Sequence, residues 1–171
     1  MLDMRKTLGI SFFIFFCFFH LSFADEKIAF IDVDKIINLS DFGKKSYKKI
    51  DEGYEKEKKK LLKIEKDLVA KEQDILKQKN ILNEEELNSK IENLKKEIND
   101  FKLKRNSTNE KFAKLKLDKT NEMVQSLNKI LSKYAEENNI SLVMQKKYIV
   151  IGKTGLDITD NVLKIFNKEV K

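Results

Sequence analysis

Tyr47, Tyr54, Leu61, Leu68, Ile75 and Leu82 recur every seven residues, with Ile50 and Ile64 in a companion row that Glu57, Lys71 and Gln78 dilute. A strict seven-residue step keeps an apolar stripe on one side only if helices wind around each other with a left-handed twist. A second stretch behaves alike, with Leu87, Leu94, Phe101 and Leu115 in one row and Ile91, Ile98 and Phe112 in the other. Arg105 and Thr108 interrupt it. Beyond Leu115 the phase drifts toward Met123, Leu127, Ile130 and Tyr134, which predicts a stutter over residues 117–120. Neither Gly nor Pro occurs between Gly53 and Gly152, so nothing in the chemistry of that stretch breaks a helix.

The two heptad stretches fit either one helix roughly 147 Å long or a hairpin of two arms of about 40 to 50 residues, each about 60 to 70 Å long. Asn83 favours the hairpin. It precedes Glu84, Glu85 and Glu86, a helix start with an Asn cap, carboxylates in the first turn and Glu86 placed for a capping box. The predicted arm therefore covers residues 41–138 with its tip near 79–83. Positions on the two arms whose numbers add to about 167 then face each other.

At both ends the period changes. Residues 27–33 form a β-type apolar run, followed by a short helical turn over 34–39. Residues 140–144 and 148–151 predict two more strands, joined as a hairpin through 145–147. A last helix is predicted from Thr159, with Asp160 in its first turn, Ile158 and Leu163 spaced as a hydrophobic staple, and Val162, Ile165, Phe166 and Val170 on its buried face. The predicted fold is α+β: a long antiparallel coiled-coil hairpin projecting from a small β-rich body made of residues 25–40 and 139–171. So few strand residues bury little alone, which predicts that the body oligomerises.

Composition narrows the chemistry. The 171 residues include 35 Lys+Arg against 28 Asp+Glu, a net charge of +7, and 37% are charged where about a quarter is ordinary. Arg5 and Lys6 precede an apolar run from Leu8 to Phe23, and Ser22-Phe23-Ala24 supplies a small-residue cleavage site, so residues 1–24 read as a secretory signal cut after Ala24. The run is too short for a spanning helix, which needs roughly 20 apolar residues. Cys17 and His20 leave with it. What remains has no thiol or imidazole, which excludes Cys and His nucleophiles, disulfides and His/Cys metal sites; no catalytic residue, metal or cofactor is predicted. Arg105 is the only Arg left, and base reading leans on the Arg fork, so no nucleic-acid partner is predicted. Gly152-Lys153-Thr154 is no phosphate loop, because Lys147 stands where the first glycine belongs.

Three groups are candidates for binding. Lys56, Lys58, Lys59, Lys60, Lys63 and Lys66 face Lys102, Lys104, Arg105 and Lys111 across the predicted hairpin, making a basic belt halfway along the arm. Such a belt steers acidic client segments or an anionic membrane surface, or is a solvated face neutralised by its own carboxylates. Leu62, Val69 and Leu76, with Leu103 and Leu117, lie off the main rows and either widen the seam or form a dilute client-binding lining. Gly53 is the odd residue of the first arm, a site of close packing or a hinge.

The order of elements carries a resemblance. A signal peptide, Lys27-Ile28-Ala29-Phe30-Ile31-Asp32-Val33, a Gly- and Pro-free hairpin, Asn139-Ile140-Ser141-Leu142-Val143-Met144 and the closing Asp157-Ile158-Thr159-Asp160-Asn161-Val162-Leu163 together resemble the Skp/OmpH family of periplasmic chaperones over the whole mature chain. The resemblance implies a homotrimer whose strands join in a central body while three arms surround a cavity. It also implies a periplasmic, ATP-independent holdase, not an enzyme, that keeps unfolded outer-membrane proteins from aggregating before insertion. A structural scaffold or spacer of the envelope is the other reading of the same heptads.

Overall fold

The computed structural model describes residues 27–171; the leader and its cleavage point after Ala24 lie outside the described residues. The chain runs through strand β1 (Lys27–Ile31), helices α1 (Val33–Leu39), α2 (Asp41–Gln78) and α3 (Glu84–Glu137), and strand β2 (Ile140–Gln145). Short 3₁₀ turns at Lys146–Tyr148 and Thr154–Leu156 precede helix α4 (Thr159–Glu169).

Each helix boundary has a local cause. Asp32 caps α1, its carboxylate accepting from the Lys35 amide at 2.8 Å. Buried Ser40 ends α1 and caps α2, accepting from the Gly43 amide at 3.1 Å. A Cβ on Gly43 would stand 1.8 Å from the Ile37 carbonyl oxygen, so this tight corner requires glycine. At the far end Asn83 caps α3, its side-chain oxygen accepting from the Glu86 amide at 2.9 Å, with three glutamates against the positive end of the helix. Asn139 takes a left-handed conformation, φ 53°, which Asn tolerates better than most residues, and turns the chain from α3 into β2.

β1 and β2 pair in parallel, Ile28 with Leu142 through Ile31 with Gln145. Parallel strands need a crossover, and here the crossover is α1 plus the entire arm. Ala29 and Ile31 join Ile36, Ile37, Met123, Leu127, Ile130, Ile158, Val162 and Phe166 in one buried cluster, so the first and last elements of the described residues meet against the base of α3. Met123 enters it because the seam of α3 shifts phase: Leu115 is exposed, Lys119 and Thr120 are half-buried, and Met123 is buried. Two successive steps of four residues make this stutter. On α4, Val162 and Phe166 are fully buried while Ile165 and Val170 lie half-buried beside them.

The strand predicted over 148–151 is corrected. After Gln145 the chain turns through 3₁₀ geometry instead of a hairpin, and Val150 and Ile151 are 97% and 91% exposed. A β-branched run needs an edge to pair with, and although the second edge of β2 is open, the 3₁₀ turn at Lys146–Tyr148 carries the chain past it instead of reversing it into a hairpin. β2 lies beside β1, and the other side of β1 forms a one-residue bridge from Phe30 to Asp157, with the Ile158 amide donating to the Phe30 carbonyl at 3.0 Å. Gly152 meanwhile packs on the Phe30 ring, where a Cβ would come within 2.8 Å.

Thr159 ties these pieces together. Its buried hydroxyl accepts from the Asp32 amide at 2.9 Å and donates to Asp157 Oδ1, which also accepts from the Thr159 amide at 3.0 Å; Asp157 Oδ2 accepts from Lys146 Nζ at 2.7 Å. Partial burial works to raise the Asp157 pKa, but the hydrogen bonds from Lys146 and Thr159 outweigh it and the net shift is downward. The hydrogen bond to Asp157 raises the Lys146 pKa. Asp157 therefore contributes above the ordinary 3.8 and loses that contribution only at lower pH; Lys146 contributes below the ordinary 10.5 and loses it only as pH rises further. The latch is insensitive to pH between those values. Thr159→Val leaves the Asp32 amide without its partner and is expected to cost about 1 to 3 kcal/mol, read as a lower urea midpoint. An unchanged midpoint would show that the latch is not a stabilising element.

Candidate functional site

The arm is the candidate site. Leu61 and Leu68 are buried in its seam, and Tyr47, Tyr54, Ile64, Ile75 and Leu82 are half-buried along the same face. Contacts across the arm set the alignment: Tyr47 Oη to Thr120 Oγ1 at 2.7 Å, the Tyr54 hydroxyl donating to Asn109 Oδ1 at 3.1 Å, and Lys71 Nζ to Glu97 at 2.6 Å. The Phe112 ring meets Tyr54 edge-on at 5.4 Å. Residues 56–66 consequently lie alongside residues 101–111.

All ten residues of the proposed belt, Lys56, Lys58, Lys59, Lys60, Lys63, Lys66, Lys102, Lys104, Arg105 and Lys111, are exposed on this section. Two have local carboxylate partners, Lys58 with Glu55 at 3.4 Å and Lys60 with Glu57 at 2.7 Å. Among the described residues, Lys56, Lys59, Lys63, Lys66, Lys102 and Lys104 have no ion pair. The Glu57 carboxyl is held below its usual range by the Lys60 hydrogen bond and by the charges of Lys111 and Lys104 from α3. The section keeps a surplus of positive charge.

Leu62, Val69, Leu76, Leu103 and Leu117 are all on the surface, 46% to 65% exposed, so none completes the seam. At 100° per residue, Leu62, Val69 and Leu76 form one stripe beside the Leu61 row, whereas Leu103 and Leu117 stand on the side of α3 turned away from α2. A single subunit does not gather the five into one patch. Gly53 sits within an unbroken α2, and a Cβ there would lie 3.1 Å from Phe112 Cε1, so its absence lets that ring approach the helix.

A second surface escaped the reading of the sequence. Ile28, Leu142 and Met144 share the face of the sheet turned away from the core, since Ile28 pairs with Leu142 and Phe30 with Met144, and all three are exposed. Tyr148, Val150 and Ile151 are exposed in the following loop. The signal was present: residues 142–144 are uninterrupted apolar residues, the mark of a strand covered on both faces.

Among the described residues no helix is long and apolar enough to cross a membrane, and no group of three or more His, Cys, Asp or Glu is placed to hold a metal ion. A family model described as outer membrane protein (OmpH-like) matches residues 27–166. The chain belongs to the OmpH-like family. Its fold is similar to that of a crystal structure from Caulobacter crescentus CB15 described as an OmpH-like outer membrane chaperone, with a TM-score of 0.78 and 14% identity over 85% of this chain and 86% of that one. No curated protein matches this OmpH-like chain in sequence.

Proposed function

We propose that this OmpH-like protein is an ATP-independent periplasmic holdase that keeps unfolded outer-membrane proteins apart before insertion. The observation that carries the reading is an arm with exposed leucines beside unpaired lysines, joined to a body whose sheet leaves Ile28, Leu142 and Met144 exposed on its outer face. Burying that face among three copies makes a homotrimer and sets three arms around a cavity. Each exposed apolar side chain contributes at most about 1.5 to 3 kcal/mol on full burial, so individual contacts release readily. Several contacts on three arms hold a chain by avidity. No side chain performs chemistry, and no nucleotide is required.

The experiment is suppression of aggregation of several unrelated unfolded outer-membrane β-barrels by the purified protein without nucleotide. Suppression of all of them supports the holdase; binding of one fixed envelope partner with no suppression establishes a scaffold instead. The belt acts in encounter. Reversing the charge of Lys56, Lys59, Lys63 and Lys66 is expected to lower the client association rate at least about tenfold at low salt, and to change little near 1 M salt, where screening reaches about 3 Å. An unchanged low-salt rate removes the belt from the mechanism. Gly53 serves as the hinge through which arms splay around larger clients. Gly53→Ala is expected to narrow the size distribution in solution scattering, and an identical distribution rules the hinge out.

A further inference from the structure

The apolar rows of the arm leave one thing undetermined. Because Tyr47 to Leu82 repeat at a step of seven, sliding α2 against α3 by one heptad again places apolar rows face to face. The polar residues in the companion row remove that degeneracy. Lys71 meets Glu97 at 2.6 Å and Gln78 accepts from Lys90 at 2.5 Å, both at the alignment in which the paired numbers add to 168. Glu57 falls opposite Lys111 at the same alignment.

We propose that Glu57, Lys71 and Gln78, with Lys111, Glu97 and Lys90, form a register code that selects one antiparallel alignment of the arm. Slipping one heptad in one direction sets Glu57 against Asp118, Lys71 against Lys104 and Gln78 against Glu97. Slipping in the other leaves Glu57 with a lysine, Lys104, and sets Gln78 against Asn83 and Lys71 against Lys90. Lysine 71 thus faces a lysine in either slip, and like charges on adjoining faces disfavour both. The code also rejects parallel pairing of α2 with α2 of a second copy, which would stack Glu57 on Glu57 and Lys71 on Lys71. An independent steric mark agrees. The Phe112 ring rests where Gly53 has no Cβ, and a heptad slip would bring it to Ser46 or Lys60, which carry one.

The role of such a device is to fix arm length and tip position; it does not depend on the holdase reading. Lys71 and Glu97 are 54% and 44% exposed, so their pair adds little stability and acts on which alignment is chosen.

The test uses the chain from Asp25 onward, which contains all described residues, with spin labels at cysteines replacing exposed Lys66 and Lys102 and with labelled chains diluted in unlabelled ones. The parent should give one narrow distance. Replacing Glu57, Lys71 and Gln78 together by Leu is expected to add a second, longer-distance population, the result of a slip of about 10 Å along the arm, one heptad of helix, or to raise the mass. A single distance identical to the parent's, at unchanged mass, overturns the code. Lys71→Glu alone faces Glu97 at the native alignment and a lysine in either slip, so it should shift the distribution. A Lys71→Glu variant without effect equally overturns it.

Discussion

Val150→Asp with Ile151→Asp is expected to yield single subunits that remain folded. Both side chains are almost fully exposed and belong to no strand within the subunit, so the monomer loses no packing when they change. In the homotrimer proposed above, they are the β-branched surface offered to a neighbouring copy. Burying each is worth up to about 1.5 to 3 kcal/mol, and a desolvated carboxylate in its place adds a penalty of its own. Three copies multiply the effect. Light scattering after size separation should show the mass falling from three subunits to one at micromolar concentration, with the helical circular dichroism retained. Suppression of client aggregation should fall with it, because a lone arm has no avidity. A variant that keeps the parent's mass would exclude residues 148–151 from the interface.

Phe166→Ala is expected to cost about 3 to 5 kcal/mol, a large share of what a domain of this size has. Phe166 is fully buried in the cluster where α4 meets Ile31, Ile36, Met123 and Leu127. The cavity cannot close cheaply, since its walls are held by the parallel strands on one side and the base of the arm on the other. Urea titration should show a markedly lower midpoint, and the losses should begin at the base of the arm. Leu103→Ala is the control: this residue is exposed on the far side of α3, so its midpoint should move by less than about 0.5 kcal/mol. Equal effects from the two substitutions would mean that the body does not limit stability.

The arm is the most legible element because its determinants are local and repeated. The heptad rows state which face is apolar, Asn83 and its three glutamates state where α3 begins, and the stutter after Leu115 is visible as two steps of four. The α4 start is legible for a similar reason, with Asp160 and the Val162 and Phe166 spacing all lying within two turns. The run 148–151 misled because its side chains report a preference for extended structure and nothing about the availability of a partner edge. Leu62, Val69, Leu76, Leu103 and Leu117 were legible as off-seam residues, but sequence spacing alone leaves their burial open. Gly43 carried no readable mark, since its necessity comes from the Ile37 carbonyl across a corner.

The amino-acid sequence by itself determined the helical hairpin, its turn and the apolar identity of the strands, because each follows from neighbours within a few residues. Only the tertiary structure decided that β1 and β2 run parallel, that Thr159 reaches Asp32 across 127 positions of chain, and that Ile28, Leu142 and Met144 stay exposed on the outer sheet face. Those outcomes depend on which distant groups compete for the same edge and the same core. Side-chain preference sets how strongly a segment seeks burial or pairing, and the packing of the whole chain settles where it finds them.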